Sequence, residues 1–167
     1  MTAKNKFIIG AIIVLIILVG LFAWGKKNQA GDLRTWNDTD IACLPNGHQN
    51  LALHIHQKLS ITVFGEEQVI PANIGINNTC MAEVHTHDSS GEIHIESVDA
   101  GDKRTLGDFF AVWGEMFSQN QILDNVNGET GTVKLLVNGE PNTEFANYVM
   151  KDHDVIEISF EPTAVDY

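Results

Sequence analysis

The sequence predicts an α+β domain that follows an N-terminal transmembrane helix. Three observations lead to this fold class. An uncharged apolar run lies near the start of the chain, several later segments alternate apolar and polar residues as half-buried strands do, and one segment has helical periodicity instead. Strands on both sides of a single helix are typical of a mostly antiparallel sheet covered by one short helix.

The apolar run extends from Phe7 to Trp24 and contains 18 residues without a charge. At about 1.5 Å per residue, it just spans the hydrocarbon core of a thin bilayer. A cleaved signal peptide is the alternative, but the run is long for one and no Ala-x-Ala-like site follows it. We therefore expect residues 1–27 to be a single-pass anchor, residues 28–40 a polar linker and residues 41–162 the folded domain.

The charge distribution favours a domain outside the cytoplasm. Lysines flank both ends of the apolar run, so the positive-inside rule does not decide the orientation. The first 30 residues contain four of the ten basic residues and no acidic one, so the rest carries six basic and 22 acidic residues, a formal charge of −16. Such a domain is a poor partner for nucleic acid or for an anionic lipid surface. We expect a cell-membrane protein whose C-terminal domain is extracytoplasmic.

The chain has two cysteines, Cys43 and Cys80. An even number of cysteines in an exported domain predicts one disulfide. Two buried free thiols are the alternative.

The first strand is predicted from Leu53 to Val63, where the pattern has period two. One face is apolar: Leu53, Ile55, Leu59, Ile61 and Val63. The other face is polar and begins with a His-x-His pair: His54, His56, Lys58, Ser60 and Thr62. An irregular extended piece follows, and Pro71 marks it as an edge or a strand end.

A hairpin is predicted in EVHTHDSSGEIHIES, residues 83–97. Asp88-Ser89-Ser90-Gly91 has turn chemistry, and Asp88 is expected to cap that turn. Continuing the register from the turn places His87 opposite Glu92 and His85 opposite His94. Directly opposite residues have Cβ atoms about 4.5–5.5 Å apart, which lets two imidazoles reach one metal ion.

The segment TLGDFFAVWGEMF is predicted to be an amphipathic helix, with Thr105 and Asp108 as a capping box. Its apolar residues follow helical spacing: Leu106, Phe109, Phe110 and Trp113, with Met116 and Phe117 one turn later. Two strands then close the chain in TVKLLVNGEPN and YVMKDHDVIEISFE. These closing segments resemble those of ubiquitin-like β-grasp domains, in which an Asn-Gly turn and a DxDxI turn lead into a central final strand.

The repeated His-x-His spacing predicts a metal site on one sheet face. The candidate ligands are His54, His56, His85, His87 and His94, with Glu92 or Glu96 as a further ligand or as a partner of a ligand. Neutral imidazole suits transition metals, so we expect copper or zinc. A blue-copper site would need a thiolate, which a disulfide would remove. We expect His48 and His153 to be surface residues.

Other functions of the same face remain open. The histidines could be polar positions of a structural interaction domain, or a pH switch that titrates near neutrality. A metal-dependent hydrolase with Glu92 or Glu96 as its base is a third possibility. The sequence contains no GxSxG elbow, HExxH helix or phosphate loop. The residues do not identify a protein partner.

Residues 41–160 resemble a family of membrane-anchored, extracytoplasmic, histidine-rich proteins of bacteria and archaea. The resemblance lies in HIHQKLSITVFGEEQVIPANIGI, in the C-x4-HTHD-x-SG-x-IHIES block from Cys80 to Ser97, and in TLGDFFAVWG. Val84 stands where the family usually has Leu, which is a conservative change. The resemblance implies export, an anchor and a histidine-rich site, and it does not choose between metal binding and catalysis.

Overall fold

The computed structural model describes residues 34–163, which are mostly β with one α-helix and mostly antiparallel strand pairs. The strands are β1 (Pro45–His48), β2 (Leu53–Val63), β3 (Glu66–Glu67), β4 (Val84–His85), β5 (Glu92–Ser97), β6 (Phe117–Ser118), β7 (Gln121–Ile122), β8 (Asn125–Val126), β9 (Gly131–Val137), β10 (Glu140–Pro141) and β11 (Val155–Pro162). The helix α1 is Leu106–Trp113, and Phe145–Asn147 is a 3₁₀ turn.

The main sheet has the strand order β10-β9-β11-β2-β5-β4, with β3 paired to the far end of β2. The last strand, β11, lies at the centre. It is antiparallel to β9 and parallel to β2, with Val155 opposite Lys58. The central position of the final strand agrees with the expectation from the closing segments.

The predicted alternation of β2 is confirmed. Leu59 and Ile61 are buried in the core, whereas His54 and Lys58 on the other face are exposed. From β5, Ile93 and Ile95 are fully buried in the same core. The sheet therefore separates an apolar core from the face that carries the histidines.

The helix begins with the predicted capping box. The Asp108 amide donates to Thr105 Oγ1, and the Thr105 amide donates to the Asp108 carboxylate. The helix ends at Gly114, whose φ of 83° is left-handed, so it does not continue to Met116 as the spacing predicted. Met116 is 59% exposed, and Phe117 is buried from β6 instead.

Two parts of the fold were not predicted. Strands β6, β7 and β8, of two residues each, form a small antiparallel sheet in the order β6-β7-β8. Trp36, in the predicted linker, packs in the core and donates its indole N–H to the Val112 carbonyl at 3.0 Å.

The predicted disulfide is present between Cys43 and Cys80. The two segments next to the disulfide run antiparallel. Cys43 forms an isolated β-bridge with Ala82, and the Leu44 amide donates to the Met81 carbonyl at 2.7 Å. This arrangement places Ala42 and Cys43 alongside the segment that leads into β4, where the Glu83 amide donates to the Ala42 carbonyl at 3.0 Å.

The predicted anchor, residues 1–27, lies outside the described residues. Among residues 34–163, no helix is both long enough and apolar enough to cross a bilayer.

Candidate metal centre

Six histidines converge where β2, β5 and β4 lie side by side. They come from four segments: His48 from β1, His54 and His56 from β2, His85 and His87 from β4 and the residues just after it, and His94 from β5. The ring centroids of neighbouring histidines in this histidine cluster are 4.5–6.0 Å apart.

The pairing of β2 with β5 places two predicted ligands side by side. His56 lies opposite His94, and His54 lies opposite Glu96. The ring centroids of His56 and His94 are 4.5 Å apart, and those of His54 and His56 are 4.6 Å apart. The first histidine strand therefore lies beside the hairpin.

The predicted register of the hairpin is confirmed at one pair of residues. His85 lies opposite His94, and the two rings are stacked with centroids 5.4 Å apart. His87 does not lie opposite Glu92, because β4 ends at His85.

The strand ends there because Thr86 bonds to another segment. Its amide donates to the Ile74 carbonyl at 3.0 Å, and its hydroxyl accepts from the Ile74 amide and donates to the Pro71 carbonyl. His87 nevertheless stays in the cluster, with its ring centroid 4.6 Å from that of His94.

Gly91 brings the hairpin close to β2. A Cβ on Gly91 would lie 2.3 Å from the Leu59 carbonyl oxygen, and the backbone has a φ of +82°. Only glycine fits both the contact and the left-handed conformation without strain. The Leu59 amide then donates to the Gly91 carbonyl at 2.8 Å.

His48 is exposed at the surface, as expected, but it also joins the histidine cluster, which was not predicted. Its side chain is 48% exposed, but its Nδ1 lies 2.8 Å from Glu96 Oε2. Its ring centroid is 5.2 Å from that of His87 and 5.9 Å from that of His85. The disulfide and the antiparallel contacts of Cys43 and Leu44 tie the chain just before β1 to the segment that leads into β4.

The two glutamates have different environments. The side chain of Glu96 is fully buried and contacts a histidine on each side, His48 at 2.8 Å and His54 Nε2 at 3.1 Å. Glu92 is 51% exposed, with its Oε1 3.3 Å from His94 Nε2. Asp88 caps its own turn as predicted, by accepting from the Ser90 amide at 2.8 Å.

Two histidines have ring nitrogen atoms that are buried in the protein. His85 is fully buried, and its Nδ1 is 2.9 Å from the Ala82 carbonyl, so Nδ1 carries the proton and Nε2 carries the lone pair in the neutral ring. That Nε2 lies 3.2 Å from Nε2 of His87. Nδ1 of His94 is buried without a hydrogen-bond partner among residues 34–163, and its distance to the nearest Glu96 oxygen is 4.0 Å.

Burial keeps these two rings in the form that binds metal. It lowers the pKa of His85 to about 3, helped by the neighbouring His87 and His94. Burial also lowers the pKa of His94, followed by the effect of His56 and His87. Both rings are therefore neutral at physiological pH, and a neutral imidazole is the ligand that a transition metal requires.

The geometry brings together three groups of side chains that could hold a metal ion. They are His48, His85 and His87; His54, His56 and His94; and His85, His94 and Glu96. Within each group the ligand atoms lie within 4.8 Å of one another. His153, by contrast, is 84% exposed and contacts only Asp152 among charged partners in the described part of the chain, as expected for a surface residue.

Comparisons with protein-family models, curated proteins and solved structures found no match to this chain.

Proposed function

We propose that this chain is a membrane-anchored, extracytoplasmic protein whose histidine cluster binds a transition metal ion, copper or zinc. One observation carries the proposal: three groups of histidine and glutamate side chains each have their ligand atoms within 4.8 Å. Groups from four different segments meet only because the fold brings them together. Such convergence is the arrangement that a protein metal site needs.

The burial of the cluster argues against a purely solvated polar face. His85 and Glu96 are fully buried, and a buried polar group costs free energy unless it is paired. The buried Nδ1 of His94 has no such partner among the described residues. A bound cation would supply the missing partner of this nitrogen.

The donor set favours copper or zinc. Imidazole nitrogen suits zinc, copper, nickel and iron, whereas calcium and magnesium prefer oxygen ligands. Both cysteines are in the disulfide, so no thiolate is available for a blue-copper site. Copper(II) has the highest affinity in the divalent series, and zinc accepts three or four imidazoles in tetrahedral geometry.

The remaining parts of the proposal concern the anchor and the fold. The 18-residue apolar run and the acidic remainder support a single-pass protein whose domain is outside the cytoplasm. The disulfide supports an oxidising compartment. The order β5-β2-β11-β9, with β2 and β11 parallel, supports a β-grasp-like C-terminal part.

A metal-dependent hydrolase is the second candidate. Glu92 is half-exposed beside His94, where a carboxylate could take a proton from a metal-bound water. Metal-dependent hydrolysis of ester or phosphoester substrates by the purified protein, lost in Glu92→Gln while metal stays bound, would favour this candidate.

Metal binding is tested on the full chain, purified in detergent with a tag that contains no histidine. We expect copper(II) or zinc(II) to raise the unfolding temperature and a chelator to reverse the rise, since a ligand at about 100 times its Kd adds about 2.7 kcal/mol of stability. His94→Ala should reduce the rise, since His94 belongs to two of the three groups, and should leave the metal-free fold intact, because the ring faces away from Ile93 and Ile95.

The matched control is His153→Asn. It removes an exposed histidine outside the cluster, and asparagine tolerates its φ of 63°. This variant should keep the full metal response. An unfolding temperature that neither metal changes in the parent protein would contradict the proposed function.

A further inference from the structure

We propose that the cluster binds two metal ions rather than one, and that Glu96 lies between them and orients histidines of both sites. The inference rests on the proposed function. Set A is His48, His85 and His87, and set B is His54, His56 and His94.

The number and grouping of the ligands support two ions. Each set keeps its own ligand atoms within 4.8 Å, and the two sets share no residue. Six imidazoles exceed the four ligands that a tetrahedral zinc ion takes. The third group, His85, His94 and Glu96, draws one histidine from each set and marks where the sets meet.

Set A already contains two nitrogens that face each other. The Nδ1 proton of His85 is used by the Ala82 carbonyl, so its Nε2 lone pair points to Nε2 of His87 at 3.2 Å. Without metal, a proton on Nε2 of His87 bridges the two nitrogens. A metal ion can replace that proton, bind both nitrogens and be completed by His48, whose ring is 5.2 Å from that of His87.

Set B offers a buried nitrogen of its own. His94 Nδ1 has no hydrogen-bond partner among residues 34–163. The rings of His54 and His56 lie 6.0 and 4.5 Å from the His94 ring, between centroids. His54 and His56 come from one strand and are held by its pairing with β5, so little chain entropy is lost when they bind a metal.

Glu96 connects the two sets. Its buried carboxylate accepts from Nδ1 of His48 in set A and has an oxygen 3.1 Å from Nε2 of His54 in set B. These contacts leave the other nitrogen of each ring, Nε2 of His48 and Nδ1 of His54, to bind metal. One carboxylate thus orients both sets, and its negative charge reduces the repulsion between two divalent ions. The residual repulsion makes the second ion bind more weakly than the first.

The test is a copper(II) titration of metal-free full-length protein, followed by metal analysis and electron paramagnetic resonance. We expect two ions per chain. The first equivalent should give the signal of an isolated copper ion, and the second should broaden or reduce that signal through magnetic coupling between nearby ions. A zinc(II) titration should reach the same number of ions.

Two variants separate the sets without removing a fully buried residue. His48→Ala and His56→Ala should each bind one copper ion with an uncoupled signal. Glu96→Gln keeps the shape of the side chain but lacks the charge, and we expect it to weaken both sites at least tenfold, the effect typical of a lost ligand-orienting partner. His153→Asn should behave like the parent protein.

Binding of a single ion by the parent protein, with the unfolding temperature still raised, would overturn the two-ion proposal and leave the proposed function in place. Two ions retained in both His48→Ala and His56→Ala would also overturn it, because the ligands would then lie elsewhere. Binding of no metal at all would overturn both proposals.

Discussion

His85 is the most deeply buried of the described histidines. Its side chain is fully buried, its Nδ1 is fixed by the Ala82 carbonyl, and burial lowers its pKa from 6.5 to about 3. A neighbouring glycine at position 75 allows this packing, since a Cβ there would lie 3.1 Å from the Cβ of His85. A residue that is neutral and oriented before metal arrives needs no proton release or reorientation on binding.

The low pKa of His85 predicts how the stability of the metal-free protein depends on pH. Between pH 6.5 and about 3 the unfolded chain binds a proton at this residue and the folded protein does not. The stabilisation is therefore complete above pH 6.5 and is lost as the pH falls towards 3. Each unit of pKa difference corresponds to about 1.4 kcal/mol.

The variant His85→Asn tests this dependence, since the asparagine amide can still donate to Ala82 and cannot titrate. We expect chemical denaturation to show a smaller loss of stability on acidification in this variant than in the parent protein. Identical pH slopes in the two proteins would contradict the assignment.

The buried ion pair between Glu83 and Arg104 predicts a second residue-scale effect. Glu83 also accepts from the Ser97 hydroxyl at 2.9 Å, and the two charged side chains are only 8% and 17% exposed. Arg104→Met leaves the carboxylate buried without its cation, and we expect a loss of about 3–5 kcal/mol in the free energy of unfolding.

The exposed pair of Lys134 and Glu161 is the matched control. Its side chains are 56% and 46% exposed, so water screens their attraction. Lys134→Met should cost less than about 1 kcal/mol by denaturant unfolding. Equal losses for the Arg104 and Lys134 variants would show that burial does not set the strength of the first pair.

The disulfide determines where one element of the cluster lies. It joins residues separated by 37 positions, for which the chain-entropy model gives about 4 kcal/mol. We expect the double variant Cys43→Ala/Cys80→Ala to lose about this much stability in denaturant unfolding. Because the segment before β1 is then no longer tied to the segment before β4, metal affinity should fall most at the site that contains His48. A stability loss below about 1 kcal/mol would contradict the tethering role.

The strands of the cluster could be predicted because their pattern is local. Period-two alternation in β2 and β5 gave the face of each histidine, and the turn at Asp88 gave the pairing of His85 with His94. The end of β4 could not be predicted, since Thr86 bonds to the distant Ile74 and Pro71, and such bonds leave no mark on the alternation.

The position of His48 carried only a partial signal. The disulfide ties the segment before β1 to the segment before β4, but the two segments run antiparallel, so the equal spacing of Cys43 to His48 and of Cys80 to His85 does not place the two histidines side by side. The course of the chain from Leu44 to His48 leaves no mark on the sequence pattern. Strands β6 to β8 had no comparable signal, because two residues are too few to show a period.

At the scale of the whole molecule, the orientation in the membrane is the main prediction. A phosphatase that is active only outside the cytoplasm, fused after Tyr167, should be active in cells, because the acidic domain and its disulfide suit that compartment. A reporter that is active only in the cytoplasm should be inactive at the same position. The opposite pair of results would contradict the orientation. The apolar run and the acidic charge of the residues after it predict this topology. The lysines that flank the run do not decide the orientation, because they lie at both of its ends.

The central pair of parallel strands has a consequence for the order of events during folding. Strand β11 is the last strand of the described chain, and its neighbour β2 comes before the whole hairpin and helix. The middle of the sheet therefore cannot close until Val155–Pro162 has been synthesised, and pairing between such distant residues is slow. The disulfide and the β2–β5 pair involve only residues before Val98, so they can form earlier. A chain that stops short of Val155 would thus have its histidines assembled on a sheet that lacks its centre, exposed to premature metal capture and to aggregation along the open edge of β2.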